Sequence, residues 1–262
     1  MAETKDIIEN IDKVEQSHIY KSGLHDGVEE FGKALTTVGK AVNTLLLPVT
    51  VLIWGANEIA TWLNKDVSEK LQNISPEKIV ALNPHVVGPA IEALKFTAQE
   101  EELRNMFSEL IASSLNSDKK DEVHPSFVEI IKSMNKTDAL IIKELSKNSP
   151  IELIDIKKQN TGSQTFEYIA RNITLLGVNA NLEKPWSSIA SLNNLERMGL
   201  CKITTTQHLS DESAYEEIKN NADIQKVFND YTIDGKVKVD IQKGAVDITR
   251  FSKMFIKTCT TT

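Results

Sequence analysis

At 262 residues the chain can bury one good core or two modest ones, and because domains usually run to about 100–150 residues, two are expected. With 40% apolar and 26% charged residues and a mean hydropathy of -0.25, wholesale disorder and a polytopic membrane protein are both excluded. A formal charge of -7 and a pI near 5.4 exclude a global basic field for phosphates; nucleic acid would need a local basic face, and the sequence shows none.

The first sixteen residues, MAETKDIIENIDKVEQ, are acidic where a secretory signal would be basic, so no signal peptide is expected. Ile7, Ile8, Ile11 and Val14 fall at helical spacing, which suits a short amphipathic helix or a partner-binding arm. Gly23, Gly27, Gly32 and Gly39 then recur amid Leu24, Val28, Phe31, Leu35 and Val38. Each glycine costs about 1 kcal/mol in a helix interior, so this stretch is the expected mobile segment.

Residues 41–57, AVNTLLLPVTVLIWGAN, carry no charge. A membrane-spanning helix needs about 20 mostly apolar residues; this run is shorter, has Pro48 at its middle and is diluted by Asn43, Thr44, Thr50 and Asn57. A buried core helix or kinked helical pair is the preferred reading. Trp54 and Trp62, flanking the run as interfacial aromatics do, keep membrane contact as the alternative. The candidate membrane or partner contacts are therefore Leu46, Leu47, Val51, Ile53, Trp54 and Trp62.

Ser75-Pro76-Glu77 reads as a helix start, with Pro84 and Pro89 breaking the chain soon after. From Pro89, apolar residues from Ile91 to Leu115 recur at three- and four-residue steps and predict one long amphipathic helix, with Glu100, Glu101, Arg104 and Glu109 on its other sides. Glu100, Glu101 and Glu102 cannot converge on a metal, because consecutive helical residues lie about 100° apart. A polar loop follows at 116–123. His124-Pro125 opens the next helix, with His124 as a structural cap rather than a ligand. Asn135 with Asp138 three residues on predicts a capping box for a helix through Leu145.

After Pro150 the pattern changes. Residues 151–156 predict a strand, 160–163 a loop, and 164–172 a helix around Phe166, Tyr168 and Ile169. Trp186, Ile189, Leu192, Leu195 and Met198 repeat every three residues, and Gly199 ends that helix. LCKITTT is a strand, 211–229 a polar helical insertion and 236–241 an alternating strand. Residues 246–248 end a hairpin, and Thr249 caps a last helix. The expected fold class is mainly α (α+β): a helical region over 1–120 and, over 121–262, a winged-helix-like domain with a small β-hairpin. In it 186–198 takes the recognition-helix position and 200–248 an elaborated wing. That helix offers DNA only Asn193, Asn194 and Arg197, with Glu196 between, so protein contact or packing is preferred to base reading.

Cys201 and Cys259 are far apart and show no metal-ligand spacing, and the five histidines are scattered. No metal, cofactor or catalytic residue is therefore assigned, and a reducing cytoplasm is the simplest setting. Only an enzyme with a dispersed site would escape this reading.

From Glu101 the run EELRNMFSELIASSL, followed by HPSFVEII at His124–Ile131, resembles the Abi-alpha (abortive infection alpha) family; NLERMGL at 194–200 and ITRFSKMFIKTC at 248–259 are similar to its later landmarks. Ser252 departs from the pattern, which has Gly after Phe251. The likeness covers roughly 75–259 and implies phage resistance, without implying any catalytic residue. It implies a bacterial protein that halts the infected host through protein or membrane interaction rather than catalysis. Its expected partner is a protein such as a phage component, with a second copy of the chain and, on activation, the membrane as further partners. A winged-helix DNA-binding regulator is the alternative, against which the net charge counts.

Overall fold

The computed structural model describes residues 56–232 and 237–260, together with Gly32, Lys33, Thr36, Thr37, Gly39 and Lys40, which are helical. The arm at 5–16, most of the glycine-rich stretch and nearly all of the uncharged run lie outside the described residues. The chain divides into two compact units, one formed by Met1–Ser133 with Lys257–Thr262 and the other by Met134–Ile256.

In the first unit, α1 (Ala56–Leu71) buries Ile59, Leu63, Val67 and Leu71, one residue per turn along a single face. The helix expected from Ser75 is only a three-residue turn, Pro76–Lys78. The chain beyond it goes extended instead, because the Val80 N–H donates to Leu115 O at 2.9 Å and the Ser117 N–H to Lys78 O at 2.8 Å.

Pro84 does not break the chain but begins α2 (Pro84–Thr97), where its missing N–H is no loss, and Asn83 Oδ1 caps the start by accepting from the His85 N–H at 3.1 Å. Pro89 sits inside this helix, forgoing one backbone bond without ending it. The single long helix expected from Pro89 is instead divided at Ala98–Glu100, and α3 covers Glu101–Ser114. Arg104 Nη1 donates to Ala98 O at 3.1 Å and fastens the break. Glu101 and Glu102 occupy the first turn of α3, where the helix dipole favours acids.

From Met106 to Ser114 every residue of α3 is buried, because α1, α2 and α4 (Ser126–Lys132) all pack against it. Glu109, expected on an outer face, is therefore among the buried residues. Its carboxylate is paired there, 3.5 Å from Lys119 Nζ and 3.8 Å from Lys70 Nζ. The N-cap of α4 is Pro125 rather than His124, whose Nδ1 instead accepts from the Ser126 N–H at 3.1 Å just ahead of the helix.

The second unit opens with α5 (Lys136–Leu145), and the capping box is present as expected: Asn135 Oδ1 accepts from the Asp138 N–H at 2.9 Å while Asp138 Oδ2 accepts from the Asn135 N–H at 3.0 Å. Next come β1 (Ile151–Asn160) and β2 (Glu167–Ile173). The helix expected over 164–172 is thus a strand, held by antiparallel pairing to β1. After the short α6 (Leu176–Asn179), α7 (Ser188–Arg197) ends as expected at Gly199, whose φ is +74°. The Gly199 N–H donates to Glu196 O and the Leu200 N–H to Leu195 O, both at 2.9 Å, which is the Schellman arrangement that favours glycine there.

β3 (Cys201–Thr204) follows, then α8 (Glu212–Asn220), α9 (Ala222–Thr232), the continuous β4 (Val237–Ile248) and α10 (Arg250–Cys259). The fold is mostly helical with one small antiparallel sheet, an α+β arrangement of strand order β2-β1-β4-β3. The insertion expected as one polar helix is two helices, and it is part of the core. Tyr215, Ile218 and Ile224 are buried against Ile154, Ile156 and Ile173 of the sheet. Among the described residues no helix is long and apolar enough to cross a membrane.

Candidate functional site

Within the second unit a cleft of about 430 Å³ is lined by Arg171, Asn172, Ile189, Asn193, Glu196, Ile203 and Thr205. Its volume falls in the range of small-molecule sites. Arg171 and Asn172 come from β2 and Ile203 from β3, the two edge strands, while Ile189, Asn193 and Glu196 come from α7. The helix touches both edge strands, and its Glu196 takes up a backbone N–H on the edge of β3.

The cleft owes its form to a bulge. Ile154 pairs with Ile173 and Ile156 with Ala170, so Asp155 alone on β1 faces both Arg171 and Asn172 on β2. The extra residue turns Asn172 to a φ of +58°, a left-handed conformation that asparagine tolerates better than most side chains. Its N–H then has no ladder partner, and Asp155 supplies one: Oδ1 accepts it at 2.8 Å. Oδ2 lies 3.4 Å from Arg171 Nε, pairing a fully buried carboxylate with a guanidinium whose side chain is 62% exposed.

Across the cleft, Asn172 Nδ2 donates to Asn193 Oδ1 at 2.8 Å and joins the bulge to α7. Glu196 Oε1 accepts from the Ile203 N–H at 2.8 Å and satisfies the edge of β3. Behind it, burial first and the nearby Glu196 second push the Cys201 thiol up to about 12, and its Sγ donates to Leu192 O at 3.7 Å. The thiol is held protonated and is a packing group, not a nucleophile. The cleft thus presents one cation, one carboxylate, two amides and a hydroxyl between two isoleucines, a set suited to recognition by hydrogen bonds. Among the described residues no group of three or more His, Cys, Asp or Glu side chains could hold a metal ion.

Of the side chains expected to meet nucleic acid, Asn193 lines the cleft and the other two are turned into the protein's own network. Asn194 Nδ2 donates to Asp138 Oδ2 at 2.9 Å, and its Oδ1 accepts from Arg197 Nη2 at 2.8 Å. Of the expected membrane or partner contacts, Leu46, Leu47, Val51, Ile53 and Trp54 lie outside the described residues. Trp62 is on α1, half-buried, with the Arg104 guanidinium 5.5 Å from its ring centroid. The sequence reading missed Asp155, Arg171, Asn172 and Thr205. The available signal was Asp155 between Ile154 and Ile156 in a strand-like run, where burial demands partners.

The family model for abortive infection alpha matches residues 56–259. No curated protein matches the chain. Among solved structures, an uncharacterized protein from the hydrocarbon-degrading marine bacterium Alcanivorax borkumensis SK2 is similar at 17% identity over 53% of this chain and 92% of its own. Its TM-score is 0.34, too low to carry an argument about fold.

Proposed function

Because the chain belongs to the abortive infection alpha family, matched over residues 56–259, we propose that it is a bacterial antiphage protein that arrests the infected host by protein or membrane contact rather than by catalysis. The family match is the observation that carries this reading. The contact mechanism draws support from the cleft, where Asn172 bonds Asn193, Glu196 bonds a backbone amide and Asp155 bonds the bulge. These groups hold one another in place and present a fixed polar surface. A phage component is the proposed trigger, the cytoplasm the proposed resting place, and a second copy of the chain or the membrane the proposed later contact.

The second unit is read as winged-helix-like. Support comes from the order β1-β4-β3, which sets the first strand beside the last, and from α7 in the recognition-helix position. With Asn194 and Arg197 held in an internal network, that helix suits packing or protein contact better than base reading.

The test is phage plating of cells expressing the whole chain or a form lacking residues 1–55, with membrane potential followed by a dye. Loss of protection in the truncated form, together with depolarisation by the whole chain, is the outcome expected if the uncharged run acts on the membrane. Equal protection by both forms would place the activity in 56–259 and leave protein contact as the mechanism. No protection by either would remove the antiphage reading.

A further inference from the structure

Around Lys157, Tyr168 and Asp240 the sheet of the second unit has one face covered and, among the described residues, one face open. On the covered face Ile154, Ile156, Val239 and Ile241 pack with α8 and α9. Side chains on the other face are identified by register, because residues directly opposite on neighbouring strands share a face. Lys157 stands opposite Tyr168 on β2 and Asp240 on β4, and Gln159 opposite Lys238. Lys238 and Asp240 are exposed while their neighbours Val239 and Ile241 are partly buried, the alternation of a sheet with one solvated face.

This open face is not a random polar surface. Phe166 is 55% exposed and rests edge-on against Tyr168, with ring centroids 5.4 Å apart. Lys157 Nζ lies 5.0 Å from the Phe166 centroid and the Arg171 guanidinium 4.6 Å from that of Tyr168. Tyr168 also donates from its hydroxyl to Gln242 Oε1 at 3.0 Å, and Gln242 Nε2 donates to Thr205 O at 3.4 Å, so the strip runs into the cleft. The charges along it and in the cleft are the half-buried Lys157 and the exposed Arg171 and Lys238, against the exposed Asp240 and Glu196. Asp155 lies on the same face but is fully buried beneath Arg171.

Two aromatic rings flanked by cations, with neutral amides continuing the row, match the chemistry of an unpaired nucleotide strand: rings for base stacking, cations for phosphate and amides for base edges. We propose that this face of β2, β1 and β4, ending in the cleft, binds single-stranded RNA, a partner separate from the protein or membrane contact proposed above. RNA is assigned over DNA because, where the strip ends in the cleft, Asn172 and Asn193 spend one group each on their mutual bond and keep the Asn172 Oδ1 to accept and the Asn193 Nδ2 to donate, as recognition of a 2′-hydroxyl requires. The formal charge of -7 opposes long-range attraction but is screened beyond about 8 Å at physiological salt, so the local face decides.

The experiment is fluorescence anisotropy of the full chain with a fluorescein-labelled twelve-nucleotide oligouridine at 50 and 200 mM salt. Binding is expected at the lower salt and weakening at the higher. Phe166→Ala should weaken it about tenfold, the loss of one stacked base, and Lys238→Ala should lower the salt slope by about one. Both side chains are exposed, so neither change disturbs the core. Phe96→Ala, at a residue 82% exposed in the first unit, should bind like the unaltered protein. Absence of binding at 50 mM salt, or equal binding by Phe166→Ala, would overturn the proposal. Equal affinity for oligothymidine or for a duplex would remove the assignment to single-stranded RNA. A dimer that dissociates on Phe166→Ala, with no oligonucleotide bound, would give the face to a second copy of the chain instead.

Discussion

Asp155 accepts the Asn172 N–H at the bulge in β2, and Arg171 is aimed by the same carboxylate. Asp155→Ala orphans that N–H inside the protein and should cost about 1–3 kcal/mol. Asp155→Asn keeps an acceptor of the same shape and should cost less. Chemical denaturation followed by circular dichroism checks the order, and equal losses in the two variants would deny the bond its role. Such a residue is hard to read from sequence, because its partners sit on another strand and the register that brings them together is set by pairing. Asn193 was legible because helical periodicity alone places it outside the apolar stripe of α7. The fates of Asn194 and Arg197 were not, since Asp138, which engages Asn194, belongs to a helix far earlier in the chain.

At the scale of elements, α8 and α9 are fixed to the sheet by Tyr215. Its ring is fully buried, its hydroxyl donates to Gly244 O at 2.8 Å, and the same oxygen accepts from the Leu209 N–H at 2.8 Å. Gly244 must be glycine here, because a Cβ would come within 2.4 Å of Thr204 O. Tyr215→Phe keeps the packing and removes both bonds. It should destabilise the protein by about 1–3 kcal/mol and raise hydrogen exchange at the Leu209 amide; unchanged exchange there would show the hydroxyl to be dispensable. The polar sequence of 211–229 concealed this role, since the few apolar side chains that matter are spread over two helices. Local signals were read correctly where the cause was local, as at the Asn135–Asp138 box and the Gly199 stop. They failed where distant pairing overrode them, at the extended chain after Lys78 and at β2.

At the scale of the whole molecule, one buried thiol lies in each unit, and both share a pH dependence. Burial holds Cys201 at about 12 and raises Cys259 still further above the ordinary 9.0. The folded state therefore keeps these protons while the unfolded chain releases them above pH 9. The resulting stability is present in full below pH 9 and is lost as pH climbs toward 12. Denaturation midpoints should fall between pH 8 and pH 10.5, and less steeply in a Cys201→Ala/Cys259→Ala variant; parallel slopes would rule the thiols out. Iodoacetamide at pH 8 should label neither cysteine until the chain is unfolded. The α+β class was legible from the change of pattern at Pro150. The arrangement of the sheet was not, because β1 and β4 meet across most of the second unit's length. That sheet sits in a chain whose first unit is completed by Lys257–Thr262, with the continuous second unit, Met134–Ile256, strung between its two parts. A cut before Lys257 therefore removes residues of the first unit alone and leaves every residue of the second in place, so damage at one end of the sequence is felt by the unit that lies at the other.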